Sequence, residues 1–245
     1  MKKSNILIVS ALSLILLFMI ISGLLFRNKV FLPATEGNGI LVKKEISAQD
    51  FTEIEINGKF NVNYVQGSMQ HLELTADENL HDIIRIEVSE GKLVIEAKEP
   101  FKSDDDIIIN VSNPTLRSIS ASSSADFVSQ GEIFENDLKL IANAGSLIDI
   151  SGKFDNITIN QNAGSKVLIE GTTHFLDITS NASGLVDASG LKAQITRVEA
   201  NAGTLVQVNT TELSVNASAG STVNYKGSPV MNSIDINSGS NLTKK

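Results

Sequence analysis

The sequence predicts an all-β protein: a parallel, right-handed β-helix of rungs about 20 residues long, with a β-rich cap at its N-terminal end. Three observations carry this expectation. The phrase "ANAGSLIDISG" at residues 142–152 returns as "QNAGSKVLIEG" at 161–171 and "ANAGTLVQVNT" at 200–210. With the Gly of "NAGS" as anchor, seven copies fall at Ser124, Gly145, Gly164, Ser183, Gly203, Gly220 and Gly239, spaced 21, 19, 19, 20, 17 and 19 residues apart. A period of this length is the mark of a solenoid. Finally, two columns stay apolar through all seven copies. Three residues after the anchor stand Phe127, Ile148, Val167, Val186, Val206, Val223 and Leu242; five before it stand Ile119, Leu140, Ile159, Ile178, Val198, Val215 and Ile234. Apolar residues make up 42% of the chain, so two unbroken columns identify a core.

Taken in chain order, residues 1–30 come first. Residues 6–26, "ILIVSALSLILLFMIISGLLF", carry no charge and at 1.5 Å per residue are long enough to cross a hydrocarbon core of about 30 Å. They read as a transmembrane anchor or a signal peptide, and either one directs the rest of the chain out of the cytoplasm. Residues 31–45 read as a linker. Residues 46–118 read as a β-rich cap with the first rungs. In it, "FTEIEINGKFNVNYVQG" alternates like a strand pair, residues 78–84 form a short helical or turn segment, and Glu90-Gly91 turns a hairpin. Residues 119–245 are the β-helix repeats. The position after the first core column is mostly polar, holding Val128, Asp149, Leu168, Asp187, Gln207, Asn224 and Thr243, and apolar Ile150, Ile169, Val208 and Tyr225 stand at the next one. That is the two-residue period of strands with one face buried, which predicts two short strands per rung.

The phrase itself reads as corner chemistry. Asn143, Asn162, Asn181, Asn201 and Asn237 precede the anchor by two residues, and Gly145, Gly164, Gly203, Gly220 and Gly239 occupy it. Asn tolerates the left-handed conformation and Gly adopts it at little cost. Stacked at about 4.8 Å, the Asn amides would bond up the stack as a ladder, with the small Ala between Asn and Gly inside the corner. A second turn is expected at Gly131, Gly152, Gly171, Gly190 and Gly227, followed by variable loops.

The strand "NGKFNV", the "DENL" segment and the "NAGS" and "SASSSADF" rungs resemble the "putative auto-transporter adhesin, head GIN domain" family over residues 46–243. The resemblance implies an exported, β-helical protein of the bacterial cell envelope. It brings no catalytic residues to assign.

Composition and motifs narrow the function. A net charge of −8 argues against nucleic acid, whose binders need a clustered basic face. Without Cys, there are no disulfides, thiolate metal sites or thiol nucleophiles. His71, His81 and His174 are too dispersed for a metal site, and "SDDD" at 103–106 lacks Ca²⁺-loop spacing. No cofactor is expected. Asp149 and Asp187 share a column two rungs apart, a separation of about 10 Å, slightly wide for an inverting glycosidase pair. The leading expectation is a non-enzymatic envelope protein whose rigid polar surface binds a glycan, the cell wall or an envelope protein, with the membrane engaged through its N-terminal segment. A polysaccharide lyase or hydrolase on the same scaffold and an envelope scaffold or sensor are the alternatives.

Overall fold

The structure, a computed structural model, describes residues 34–245; the apolar segment at 6–26 lies outside the described residues. Contacts divide the described residues into two units, residues 34–36 with 99–102, and residues 37–98 with 103–245. In the first, β1 (Thr35–Glu36) pairs in parallel with Phe101–Lys102, and Thr35 Oγ1 donates to Glu99. Everything below concerns the second.

Its N-terminal part contains β2 (Leu41–Glu45), β3 (Glu53–Asn57), β4 (Asn61–Gln66), β5 (His71–Asp77), a 3₁₀ turn (Glu78–Leu80), β6 (Ile84–Ser89) and β7 (Lys92–Ala97). After β8 (Phe101–Lys102) come β9 (Ile108–Asn113) and β10 (Ser118–Ser122). Five long strands then wind the solenoid: β11 (Asp126–Ala142), β12 (Leu147–Gln161), β13 (Lys166–Ser180), β14 (Leu185–Ala200) and β15 (Leu205–Ala217). β16 (Thr222–Lys226) and β17 (Val230–Ile236) form the next rung on β15, and β18 (Asn241–Lys244) begins a further one on β16. Every pairing from β10 onward is parallel.

The expected core columns are the core. Phe127, Ile148, Val167, Val186, Val206 and Val223 are fully buried, as are Ile119, Leu140, Ile159, Ile178 and Val198. Register puts them in line, Phe127 on Ile148 on Val167 on Val186 on Val206. The seventh copy differs because no described strand stacks on its β17: Ile234 is 41% exposed.

The expected division of each rung into two short strands is corrected. Strands of 13 to 17 residues run without interruption from one Asn corner to the next. Of the Gly positions assigned to a second turn, Gly131, Gly152, Gly171 and Gly190 lie inside the long strands, with Gly152 paired with Gly171, whereas Gly227 sits at a bend after β16 at φ 90°. A Cβ on Gly152 would sit 2.1 Å from the Ile133 carbonyl oxygen, and one on Gly171 would sit 1.8 Å from that of Gly152. Glycine is there because neighbouring backbones approach too closely for a side chain. Differences in rung length are absorbed as bulges, between Val128 and Glu132, Leu168 and Glu170, and Ala188 and Lys192, rather than as projecting loops.

Sequence order and spatial order separate in the cap. β3 and β4 form a rung beneath β10 and β11, but the rung beyond them is made by β7 and β9, later in sequence. The chain therefore crosses back over one rung at residues 113–118. Buried Asn113 pins the crossing, donating from Nδ2 to Phe51 O at 2.9 Å and Thr115 O at 2.6 Å, while Tyr64 Oη donates to Asn113 O. Burial, followed by the Glu135 charge, pushes the Tyr64 phenol well above its ordinary value. Antiparallel β6 covers the edge of β7, and β5 covers β9. β2, in the segment expected to be a linker, is an edge strand on β5. The expected hairpin is present, with Glu90 and Gly91 both at positive φ as a two-residue type I′ turn requires.

Two adjacent columns at the Asn corner line the core's polar seam. Inside it lie Ala142, Gln161, Ser180 and Ala200 on one side and Ser146, Ser165, Gly184 and Thr204 on the other, all buried. Gln161 is the one long polar residue here. Its Nε2 donates to Ser165 Oγ at 3.1 Å, its Oε1 accepts from Ser180 Oγ at 2.5 Å, and its amide fills the space that a Cβ on Gly184 would enter.

Two outcomes follow from this packing. Val206→Asp, which buries an unpaired charge, lowers stability by more than about 4 kcal/mol, whereas Ile234→Asp in the open last rung costs under about 1 kcal/mol in the same denaturant titration. Gly184→Ala costs about 2–3 kcal/mol through its clash with Gln161, and Gln161→Ser added to it restores more than about 1 kcal/mol in a double-mutant cycle.

Candidate functional site

Each repeat presents two edges where side chains leave the regular ladder. The Asn corner comes first because the sequence singled it out. Asn162 Nδ2 donates to Asn143 Oδ1 at 3.2 Å, Asn181 to Asn162 at 3.3 Å and Asn201 to Asn181 at 3.2 Å. Ser218 Oγ continues the line to Asn201 Oδ1. The predicted ladder is therefore present from residue 143 to 218. Asn237 leaves it and donates to Asp235 Oδ1 at 2.6 Å.

The backbone at this corner differs from the expectation. Asn does not take the left-handed conformation; Ala144, Ala163, Ala182, Ala202 and Ala219 do, at φ from 50° to 57°. Gly145, Gly164, Gly203, Gly220 and Gly239 follow at φ from 71° to 75°. Two successive residues at positive φ, closed by Ser146 N donating to Asn143 O, give the φ signature of a type I′ turn. The Ala methyl points outward and is exposed, not packed inside the corner. The interior position belongs to the residue after Gly, where Ser146, Ser165 and Ser221 donate to the Ala121, Ala142 and Ala200 carbonyls of the preceding rung. This edge is spent on holding rungs together. Its amides face one another along the stack.

The flat face offers little more. Asp149 aligns with Leu168 and Leu168 with Asp187, so the two carboxylates stand two rungs apart with an apolar residue between them. Asp187 Oδ1 already accepts from Ser189 N at 3.0 Å.

The opposite bend is different. Here the alternation slips and two or more successive residues face outward, at Asn136-Asp137, Asp155-Asn156 and His174-Phe175. Phe134 is 54% exposed and Phe175 is 43% exposed. Beside Phe134 opens a groove of about 700 Å³ lined by Arg117, Phe134, Glu135, Asn136, Asp137, Lys153, Phe154, Asp155 and Thr172. Phe134, Lys153 and Thr172 are successive partners in register and form one wall. The Lys153 ammonium lies 5.6 Å from the Phe134 ring centroid.

The wall is held by hydrogen bonds from the cap. Gln66 Oε1 accepts from Phe134 N at 2.7 Å, and Gln66 Nε2 donates to Glu135 Oε1 at 2.9 Å. The same Glu135 oxygen accepts from Leu116 N at 2.7 Å, and Asp137 Oδ1 accepts from Asn156 Nδ2 at 2.7 Å. Glu135 thus acts as a structural acceptor. The side chains of Arg117, Asn136, Asp155 and Thr172 make no hydrogen bond or ion pair among the described residues, and they face the groove with both donors and acceptors. The sequence reading named none of these residues. The available signal was Phe134, Phe154 and Phe175, which fall in the same part of three successive rungs.

The ladder has a measurable share in stability. Asn162→Ala removes two of its bonds and lowers stability by about 1 kcal/mol in thermal unfolding, whereas Asn237→Ala, off the ladder, leaves the midpoint unchanged.

With this geometry in view, comparison with known proteins is informative. Several solved structures share the fold. One, described as a putative adhesin from Bacteroides fragilis, is 19% identical at a TM-score of 0.80 and covers 86% of this chain and 100% of its own. A putative adhesin from Parabacteroides distasonis is 24% identical at 0.69, with the same coverage. A structure described as a putative lipid binding protein from Parabacteroides distasonis is 20% identical at 0.71, covering 86% of this chain and 99% of its own. No curated protein matches the chain in sequence. The family described as "Putative auto-transporter adhesin, head GIN domain" matches residues 50–229, most of the solenoid and its cap, and the chain belongs to that family.

Proposed function

We propose that this protein is an exported, non-catalytic binding module of the bacterial envelope, adhesin-like in action, and that its binding edge is the bend carrying Phe134 and Phe175. Membership of an adhesin family supports an exported or surface location and a role in binding. The observation that carries the reading is the exposed Phe134 ring, with Phe175 exposed on the same bend, beside a groove that also presents the unpaired side chains of Arg117, Asn136, Asp155 and Thr172, on a scaffold whose hydrogen bonds fix the groove wall. Exposed aromatic surface next to convergent polar groups is the usual form of a recognition site. The partner is a glycan, the cell wall or an envelope protein. The apolar segment at residues 6–26 serves as the membrane anchor or the export signal.

Binding here is passive. The solenoid supplies a pre-formed surface, so little order has to be imposed when the partner docks. Weak single contacts become firm when many tethered copies engage one surface. Full-length protein displayed on beads retains an envelope glycan, cell-wall fragment or envelope protein without cleaving it, and Phe134→Ala with Phe175→Ala lowers retention at least tenfold. Failure to retain any of the three by the unaltered chain contradicts the reading, and so does release of shortened glycan.

A further inference from the structure

Resting on that reading, we propose that the groove between Arg117, Phe134, Asp155 and Thr172 takes an uncharged sugar ring of a hydroxyl-rich glycan. Its charges decide the ligand's charge. Arg117 and Lys153 contribute two positive charges, and Glu135, Asp137 and Asp155 contribute three negative ones, all lining one open groove. A uronate, sulfate or phosphate group entering it meets the carboxylates, and an ammonium group meets Arg117 and Lys153. An uncharged polyol meets neither penalty. Each of its hydroxyls both donates and accepts, so it uses the guanidinium of Arg117, the amide of Asn136, the carboxylate of Asp155 and the hydroxyl of Thr172 together.

Phe134 supplies the other half of sugar chemistry. A pyranose ring has a face of C–H groups, and a phenyl ring that is 54% exposed offers a flat apolar surface to cover it. Phe carries no polar handle, so a contact with it selects the C–H face and leaves the hydroxyls to the groove. Phe134 is also held in place. Its N–H bonds to Gln66 Oε1, and Gln66 Nε2 also donates to its carbonyl oxygen at 3.2 Å. The groove spans successive rungs, since Phe134, Lys153 and Thr172 stack in register, so it accommodates an extended chain laid along the solenoid axis. A cavity of about 700 Å³ is within the range of small-ligand sites, which span about 300–1,000 Å³.

The test is titration calorimetry of the full-length chain with a neutral N-acetylglucosamine tetramer and a neutral glucose hexamer, alongside a uronate oligomer, a sulfated oligomer and a glucosamine oligomer. The expected result is saturable binding of at least one neutral oligomer, unchanged between about 0.05 and 0.5 M salt because no ion pair is formed. Phe134→Ala and Asp155→Ala each weaken it at least tenfold while the melting temperature stays put. Asn237→Ala, off the ladder and outside the groove lining, leaves the affinity unchanged. Salt-sensitive binding of a charged oligomer in place of the neutral ones overturns the proposal, as does neutral binding that survives Phe134→Ala. Retention of an envelope protein or charged glycan with no neutral binding overturns it too, yet leaves the adhesin-like reading standing. No retention of any kind overturns both.

Discussion

The structure depends on one constraint: each rung must hydrogen-bond in parallel to the rung before it over nearly its whole length. Parallel pairing of strands 13 to 17 residues long leaves almost no freedom within a rung, because a slip of one residue would turn every core side chain toward water. The offset between partners is therefore held, at 19 residues between β12 and β13 and between most of β11 and β12. Every corner must repeat one conformation for the ladder to continue. That requirement is strong enough to hold Ala in the left-handed region at five successive corners, a conformation that costs a non-glycine residue about 1–3 kcal/mol. The close backbone approach at Gly152 and Gly171, and the fit of Gln161 against Gly184, come from the same stacking.

From this follows a division of labour between edges. The Asn corner and its Ser hydroxyls direct their hydrogen bonds up the stack and so build rigidity. The opposite bend, where alternation slips, is the place where side chains are released from the ladder. Phe134, Asp155 and Thr172 are free to face solvent there because the stack is secured elsewhere. The cap joins the two roles. Its Gln66 reaches from β4 to fix Phe134 and Glu135, and antiparallel β5 and β6 close edges that would otherwise be open to pairing.

Much of this could be read in the sequence, for a physical reason. Stacking converts a repeat into columns, and a column such as Val167, Val186 and Val206 shows its burial without any knowledge of three-dimensional contacts. The Asn ladder was legible in the same way, since side chains in register must meet. Corner detail was not. Propensity places Asn at positive φ, but the position in the turn places Ala144 there, and tertiary pairing overrides the preference. The long strands were hidden because Gly152 and Gly171 read as a turn when they mark close approach. The rung order of the cap was hidden because nothing local shows that residues 92–113 stack outside residues 53–66. The groove escaped because its residues change type from rung to rung, Phe134 beside Lys153 and Thr172, so no column announces them.

The central claim is that rungs are interchangeable layers held by one offset, and removing a layer tests it most directly. Residues 147–165 are 19 residues long and equal the offset between Leu147 and Lys166, so their deletion joins Ser146 to Lys166 in the correct register. The account predicts that this shortened chain keeps a β-sheet circular-dichroism spectrum and a single cooperative melt at a somewhat lower temperature. Removing only residues 147–155 should abolish both, because it breaks the register of every later rung. If the 19-residue deletion unfolds as fully as the nine-residue one, or both fold equally well, the stacking account is wrong.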